Sequence, residues 1–181
     1  MIIGSSLAQK FTPWIMEERF IIFKGKIKLD LIEKKLNIWN KGSIDRIILL
    51  SGNDLYPSGM CGNHKCLQHY NSYEALETYL KLLDIFYHFT SEVRIVQPPP
   101  RCRKLYSNSN CEFFSDTTSK RFPELMRKLK GLKRGKNQIL GVVSNDVIMK
   151  YMGTTNIWDL VNVDGTHFSE SALDVLKNIL Y

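Results

Sequence analysis

The sequence has no apolar run long enough to cross a bilayer; its longest, such as residues 47–50, are only strand-length, which excludes a helical membrane span. It also lacks the parts of a secretory leader. Met1, Ile2 and Ile3 run into Gly4 without a basic segment, a long apolar stretch or a small-residue cleavage site, so a cytoplasmic protein is expected. With 11 glycines and 6 prolines in 181 residues and no internal repeat, fibrous and low-complexity classes are excluded. Cysteine is sparse. The four, Cys61, Cys66, Cys102 and Cys111, form no C-x-x-C pair, so the strongest zinc signature is missing. Cys61, His64 and Cys66, with His69 nearby, still carry ligand types that zinc accepts, leaving structural zinc, disulfides and free thiols open.

What is present suits one globular domain spanning residues 1–181. A chain of this length buries about two-thirds of its unfolded surface without covalent help, and 44% hydrophobic with 24% charged residues is ordinary globular composition. Twenty-five basic against 18 acidic residues leave a net charge of +7, which favours anionic partners without naming one. Much of that charge lies in segment 120–136, on Lys120, Arg121, Arg127, Lys128, Lys130, Lys133, Arg134 and Lys136. The segment reads as a solvated helix face or as a surface that follows a nucleic-acid backbone.

Apolar strand-like runs at residues 1–3, 20–23, 46–50, 93–97 and 138–143 alternate with segments 8–18, 29–39, 73–89 and 120–133, where apolar residues recur at three- and four-residue spacings. Right-handed crossovers between such units leave few topologies. The expected fold is therefore α/β: a three-layer sandwich with a five-stranded parallel sheet in flavodoxin-like order 2-1-3-4-5 and helices on both faces. In that order strands one and three are neighbours whose connections leave in opposite directions, so a crevice opens at their carboxyl ends. Gly4, Ser5 and Ser6 follow strand one, Gly25 follows strand two, and Ser51, Gly52, Asn53 and Asp54 follow strand three. Function is expected there.

Near the carboxyl end, Asp164, Gly165, Thr166 and His167 precede a periodic segment at residues 170–180 that reads as a closing helix. An acid and an imidazole three residues apart across an Asp-Gly turn can face one crevice, the acid fixing the ring tautomer while the ring accepts a hydroxyl proton. The segment from Ser144 to Asp164, at about 3.3 Å per extended residue, is long enough to bring them back from the edge strand.

Taken together, these blocks resemble the SGNH (GDSL-like) hydrolases over essentially the whole chain. Gly4-Ser5-Ser6-Leu7 looks like the G-D-S-L block, Gly25 like the second-block glycine, Ser51-Gly52-Asn53-Asp54 like the G-x-N-D block, and Asp164 to His167 like the last. The resemblance implies a serine esterase with Ser6 as nucleophile, His167 as base and Asp164 as the acid orienting it. It also implies an oxyanion hole formed by the N–H of Ser6, the N–H of Gly25 and the side chain of Asn53. The implied reaction is hydrolysis of a small carboxylic ester, such as an acetyl group on a sugar, lipid or other alcohol, through an acyl-Ser6 intermediate, with neither cofactor nor metal.

The chain departs from the pattern at Ser5, where an aspartate is usual, and at Ser51, where the block begins with glycine. Because two serines adjoin, spacing alone leaves the nucleophile ambiguous; Ser6 holds the pattern's third position. A degenerate α/β-hydrolase elbow at residues 4–8 fits less well, since there the acid and histidine lie on separate later loops. Pro98, Pro99 and Pro100 stiffen the loop after strand four; the resemblance implies that this loop borders the active site, so that Arg101 or Tyr106 would touch an acidic or sugar-like substrate. Trp14, Trp39 and Trp158 read as packing residues. The alternative to catalysis is a binding module of the same fold that uses the basic helix on nucleic acid or another anionic partner.

Overall fold

A computed structural model describes residues 1–11, 20–52, 55, 72–101, 108–132 and 135–181, with backbone alone at 72 and 108–119. Five strands, β1 (Ile2–Gly4), β2 (Phe20–Ile22), β3 (Arg46–Leu50), β4 (Glu92–Val96) and β5 (Ile139–Val143), form one sheet in the order β2-β1-β3-β4-β5. Every pairing is parallel. The expected class, order and strand positions hold, with strand ends shifted by about one residue, which is within the fraying of any assignment.

The strands are apolar at successive positions because helices cover both faces. Ile3, Ile47, Leu49, Val93 and Ile95 turn to one cluster with α2 (Leu29–Leu36), α3 (Ser72–Phe86) and α4 (Asn108–Gly131). Ile2, Ile48, Leu50, Val96 and Val143 turn to the other, with α1 (Ser6–Gln9), α5 (Asn145–Met152), a 3-10 turn at Ile157–Leu160 and α6 (Glu170–Leu180). Side chains alternate across a strand, so one short run such as Ile47 to Leu50 seeds both cores.

The helices differ more from expectation. α1 begins at Ser6, two residues before the periodic segment, and residues 12–19 lie outside the described residues. α4 begins at Asn108, well before Lys120, and continues through Pro123. α5 and the 3-10 turn divide a stretch that sequence periodicity left whole. Ser144 caps α5 by accepting from Val147 N at 3.4 Å, and Gly153 ends it at φ 71. No helix of the described residues is long and apolar enough to cross a membrane.

Candidate active site

The floor of the site is set by Gly4. Ile22 and Leu50 flank it in register, and a Cβ on Gly4 would stand 2.1 Å from Leu50 O and 2.8 Å from Ala8 Cβ. Only glycine lets β1 end so close to β3 and turn at once into α1. The chain is pinned here by Ser5 N donating to Leu50 O at 3.1 Å and Phe23 N donating to Gly4 O at 2.9 Å. Ser5 occupies the N-cap position of α1 but makes no capping bond with its side chain; Ser6 is the first helical residue. Ser6 N–H therefore belongs to the first turn, where backbone donors have no intrahelical acceptor. Among the described residues only glycines have positive φ, so Ser6 lacks the strained geometry of an α/β-hydrolase elbow.

Asp164 and His167 are brought together by their own turn. Gly165 adopts φ 69, a conformation that side chains disfavour, and this lets Asp164 Oδ1 accept from Thr166 N at 2.9 Å and His167 N at 3.0 Å. Asp164 Oδ2 then lies 2.6 Å from His167 Nδ1. Burial works to raise the Asp164 pKa, but the His167 backbone N–H, the ring and the Thr166 N–H outweigh it and hold the carboxyl below its ordinary value. A carboxylate can only accept, so Nδ1 is the donor toward Asp164, and in the singly protonated ring that leaves Nε2 as the acceptor. Nε2 is shielded from solvent and has no hydrogen-bond partner among the described residues. A Ser6 to His167 hydrogen bond is accordingly not formed in this structure. Leu7 and Phe168, the residues that follow the two, belong to the same buried cluster.

The turn carrying His167 is braced at both ends of α6. Asn162 N donates to His167 O at 2.8 Å, Ser169 N to Leu160 O at 2.8 Å, and Ser169 Oγ to Asp159 O at 2.7 Å. At the far end, Arg46 Nη1 and Arg94 Nη1 donate to the terminal carbonyls Leu180 O and Ile179 O at 3.2 and 3.4 Å. Glu92 fixes both arginines, with Oε1 at 2.7 Å from Arg46 Nε and 2.9 Å from Arg94 Nε. The last carbonyls of a helix lack internal partners, so this clamp sets where α6 sits.

Of the other expected residues, Gly25 lies in the loop after β2 with φ 76. Asn53 and Asp54 lie outside the described residues, as do Cys61, His64, Cys66, His69, Cys102, Tyr106 and Trp14, and nothing is described of the Cys111 side chain. No group of three metal-ligating side chains occurs among the described residues. Ser51 is fully buried, and its hydroxyl has no partner among them. Gly52 packs so tightly on Pro98 that a Cβ would lie 2.4 Å from Pro98 Cβ. Behind Pro98, Asn145 Nδ2 donates to Pro98 O and Asn145 N to Gln97 Oε1, so the proline loop is held at the crevice. Arg101 is buried at 9% exposure. Trp39 packs against the α2–α4 core and Trp158 is half-buried. On α4, Lys120, Arg127, Lys128 and Lys130 are exposed, and Lys128 pairs with Glu124 at 2.8 Å.

Lys24, Lys26 and Lys28, which flank Gly25 and Ile27, are exposed; in the sequence their spacing is overshadowed by the denser basic segment at 120–136.

No family profile and no curated protein matches the chain. Its fold, however, matches solved structures across nearly its whole length. A GDSL-like lipase from Bacteroides thetaiotaomicron superposes with a TM-score of 0.63 at 10% identity, over 99% of this chain and 83% of the other. A member of the lipolytic G-D-S-L family from Veillonella parvula gives 0.57 at 12%, over 98% and 92%. A carbohydrate acetylesterase family member from Sinorhizobium meliloti gives 0.55 at 16%, over 99% and 96%. The chain has the α/β fold of the SGNH (GDSL-like) hydrolases.

Proposed function

We propose that this protein is a serine esterase that cleaves a small carboxylic ester, acetyl esters included, with Ser6, His167 and Asp164 as its triad. The observation that carries the reading is His167 Nε2. It is fixed from behind by an ionised Asp164, withdrawn from water, and without a hydrogen-bond partner among the described residues. A buried polar atom left unpaired costs about 1–3 kcal/mol, a cost that calls for an explanation in function. A Ser6 hydroxyl brought to Nε2 would supply the missing donor and be primed by it.

In this mechanism Ser6 Oγ attacks the ester carbonyl as its proton passes to Nε2. The imidazolium that forms is stabilised by Asp164, which stays ionised. The carbonyl oxygen, now negative, is held by the N–H groups of Ser6 and Gly25 and by the Asn53 side chain. Loss of one such donor costs about two to three powers of ten in rate, because it is aimed at charge present only in the transition state. Collapse breaks the ester C–O bond, Nε2 returns the proton to the departing alcohol, and acyl-Ser6 remains. Water then attacks the acyl carbon with its proton going to Nε2; collapse releases the acid and restores Ser6.

The test is turnover of a chromogenic acetyl ester by purified protein, expected in the wild type and lost in Ser6→Ala with folding intact. Wild-type protein inert toward acetyl, butyryl and aryl esters alike would refute the proposal.

A further inference from the structure

We infer that the ester taken by this site bears a negative charge close to its scissile bond, and that Lys24, Lys26 and Lys28 hold that charge. This rests on the esterase reading above and adds a substrate class to it.

The placement follows from register. Ile22 pairs with Gly4, so the chain beyond β2 runs beside the chain beyond β1. Phe23 is tied there by its N–H to Gly4 O at 2.9 Å. The loop that begins at Lys24 thus leaves the sheet beside the Gly4 end of β1, from which Ser5 and Ser6 follow. The three lysines alternate with Gly25 and Ile27, so the loop offering an oxyanion donor also presents three ammonium groups.

No ion pair or side-chain hydrogen bond engages any of the three among the described residues, so their charges are available to a ligand. One further observation sets this loop apart: Lys28 is the N-cap residue of α2 and makes no capping bond. A cation is the least suitable residue there, since the cap position favours Ser, Thr, Asp or Asn and the helix dipole repels positive charge. A local rule broken beside a functional crevice points to a gain elsewhere. Three unpaired cations at one rim raise the local concentration of an anionic substrate and hold its charged group, which fits a phosphorylated or carboxylated alcohol carrying an acyl group.

The experiment measures kcat/KM for phenyl acetate and for 4-acetoxyphenyl phosphate, in the wild type and in Lys24→Gln/Lys26→Gln/Lys28→Gln. The ratio of phosphorylated to neutral substrate cancels intrinsic reactivity when wild type and variant are compared. It is expected to fall about tenfold in the variant, as three charges acting through water near a dianion would give. In the wild type the ratio should also fall as salt shortens the screening length from about 8 Å at physiological strength to about 3 Å at 1 M. The control Lys34→Gln/Lys35→Gln, farther along α2, should keep the wild-type ratio. An equal ratio in the wild type and the triple variant overturns the inference while leaving the esterase reading intact. A second arm needs no catalysis: titration with phenyl phosphate should shift the backbone amide signals of residues 24–28 saturably. Shifts there in a protein that hydrolyses no ester would keep the anion site and reject the esterase; no shift would reject the anion site.

Discussion

Replacing Asp164 by asparagine should abolish most catalysis while leaving the turn in place. The carboxylate accepts at Oδ1 from two backbone N–H groups, at 2.9 and 3.0 Å, and at Oδ2 from the His167 ring at 2.6 Å. An asparagine has one oxygen for these two positions. With its oxygen facing the ring, its amide would confront both backbone donors, losing two bonds. With its oxygen at the Oδ1 position it keeps both and turns its NH2 toward Nδ1. The second arrangement is favoured, and it converts Nδ1 into an acceptor and moves the ring proton to Nε2. A ring protonated there cannot take the Ser6 proton. The expected loss is about four powers of ten in kcat, or about 5 kcal/mol of transition-state stabilisation, with KM and unfolding midpoint little changed. Steady-state kinetics on a chromogenic acetyl ester gives the first figure, and a nitrogen-resolved spectrum of the His167 ring locates the proton. A kcat within tenfold of wild type, or a ring still protonated at Nδ1, would refute the reasoning.

Gly4→Ala places a methyl group 2.1 Å from Leu50 O, so β1 and β3 must part; a destabilisation of about 3 kcal/mol is expected, a fall of about 6–12 °C in Tm for a chain of this length. A loss below about 1 kcal/mol in urea unfolding would show that the strand ends give way easily. The hydrogen bond from Arg46 holds the Glu92 carboxyl below its ordinary pKa, burial opposes this, and Arg94 adds to the lowering. A carboxyl depressed in the folded state contributes stability that is present above its unfolded pKa and lost as pH falls through the folded one. Wild type should therefore lose more stability between pH 7 and strongly acid solution than Glu92→Gln; parallel curves for the two would contradict the clamp on α6.

The sheet was legible because its strands are short apolar runs bounded by small or polar residues, and strand order followed from the alternation with helices. The early start of α4 was not. Residues 108–119 carry Asn, Ser, Asp and Thr, which compete for backbone hydrogen bonds and favour caps over helix interiors, so apolar periodicity begins only near Phe122. α5 is eight residues long, too short for periodicity to declare it. Its ends, Ser144 and Gly153, are nevertheless the standard capping types and would have bracketed it. At the site, the Asp164 to His167 contact was legible because its geometry is local, fixed by one turn over four residues. The Ser6 side of the proposed triad is not local. It depends on how β1 and the closing turn approach across the sheet, and no spacing along the chain encodes that distance. The Arg46, Glu92 and Arg94 clamp was hidden for the same reason, being formed by neighbouring strand starts and the far end of α6.

The central claim is that Ser6 is a nucleophile driven by His167, and covalent trapping tests it most directly. After incubation with a fluorophosphonate, peptide mass spectrometry should find one adduct per wild-type chain, on Ser6, absent from Ser6→Ala and strongly slowed in His167→Ala. An adduct on Ser5 or elsewhere, or a folded wild-type protein that takes up no label, would contradict the account.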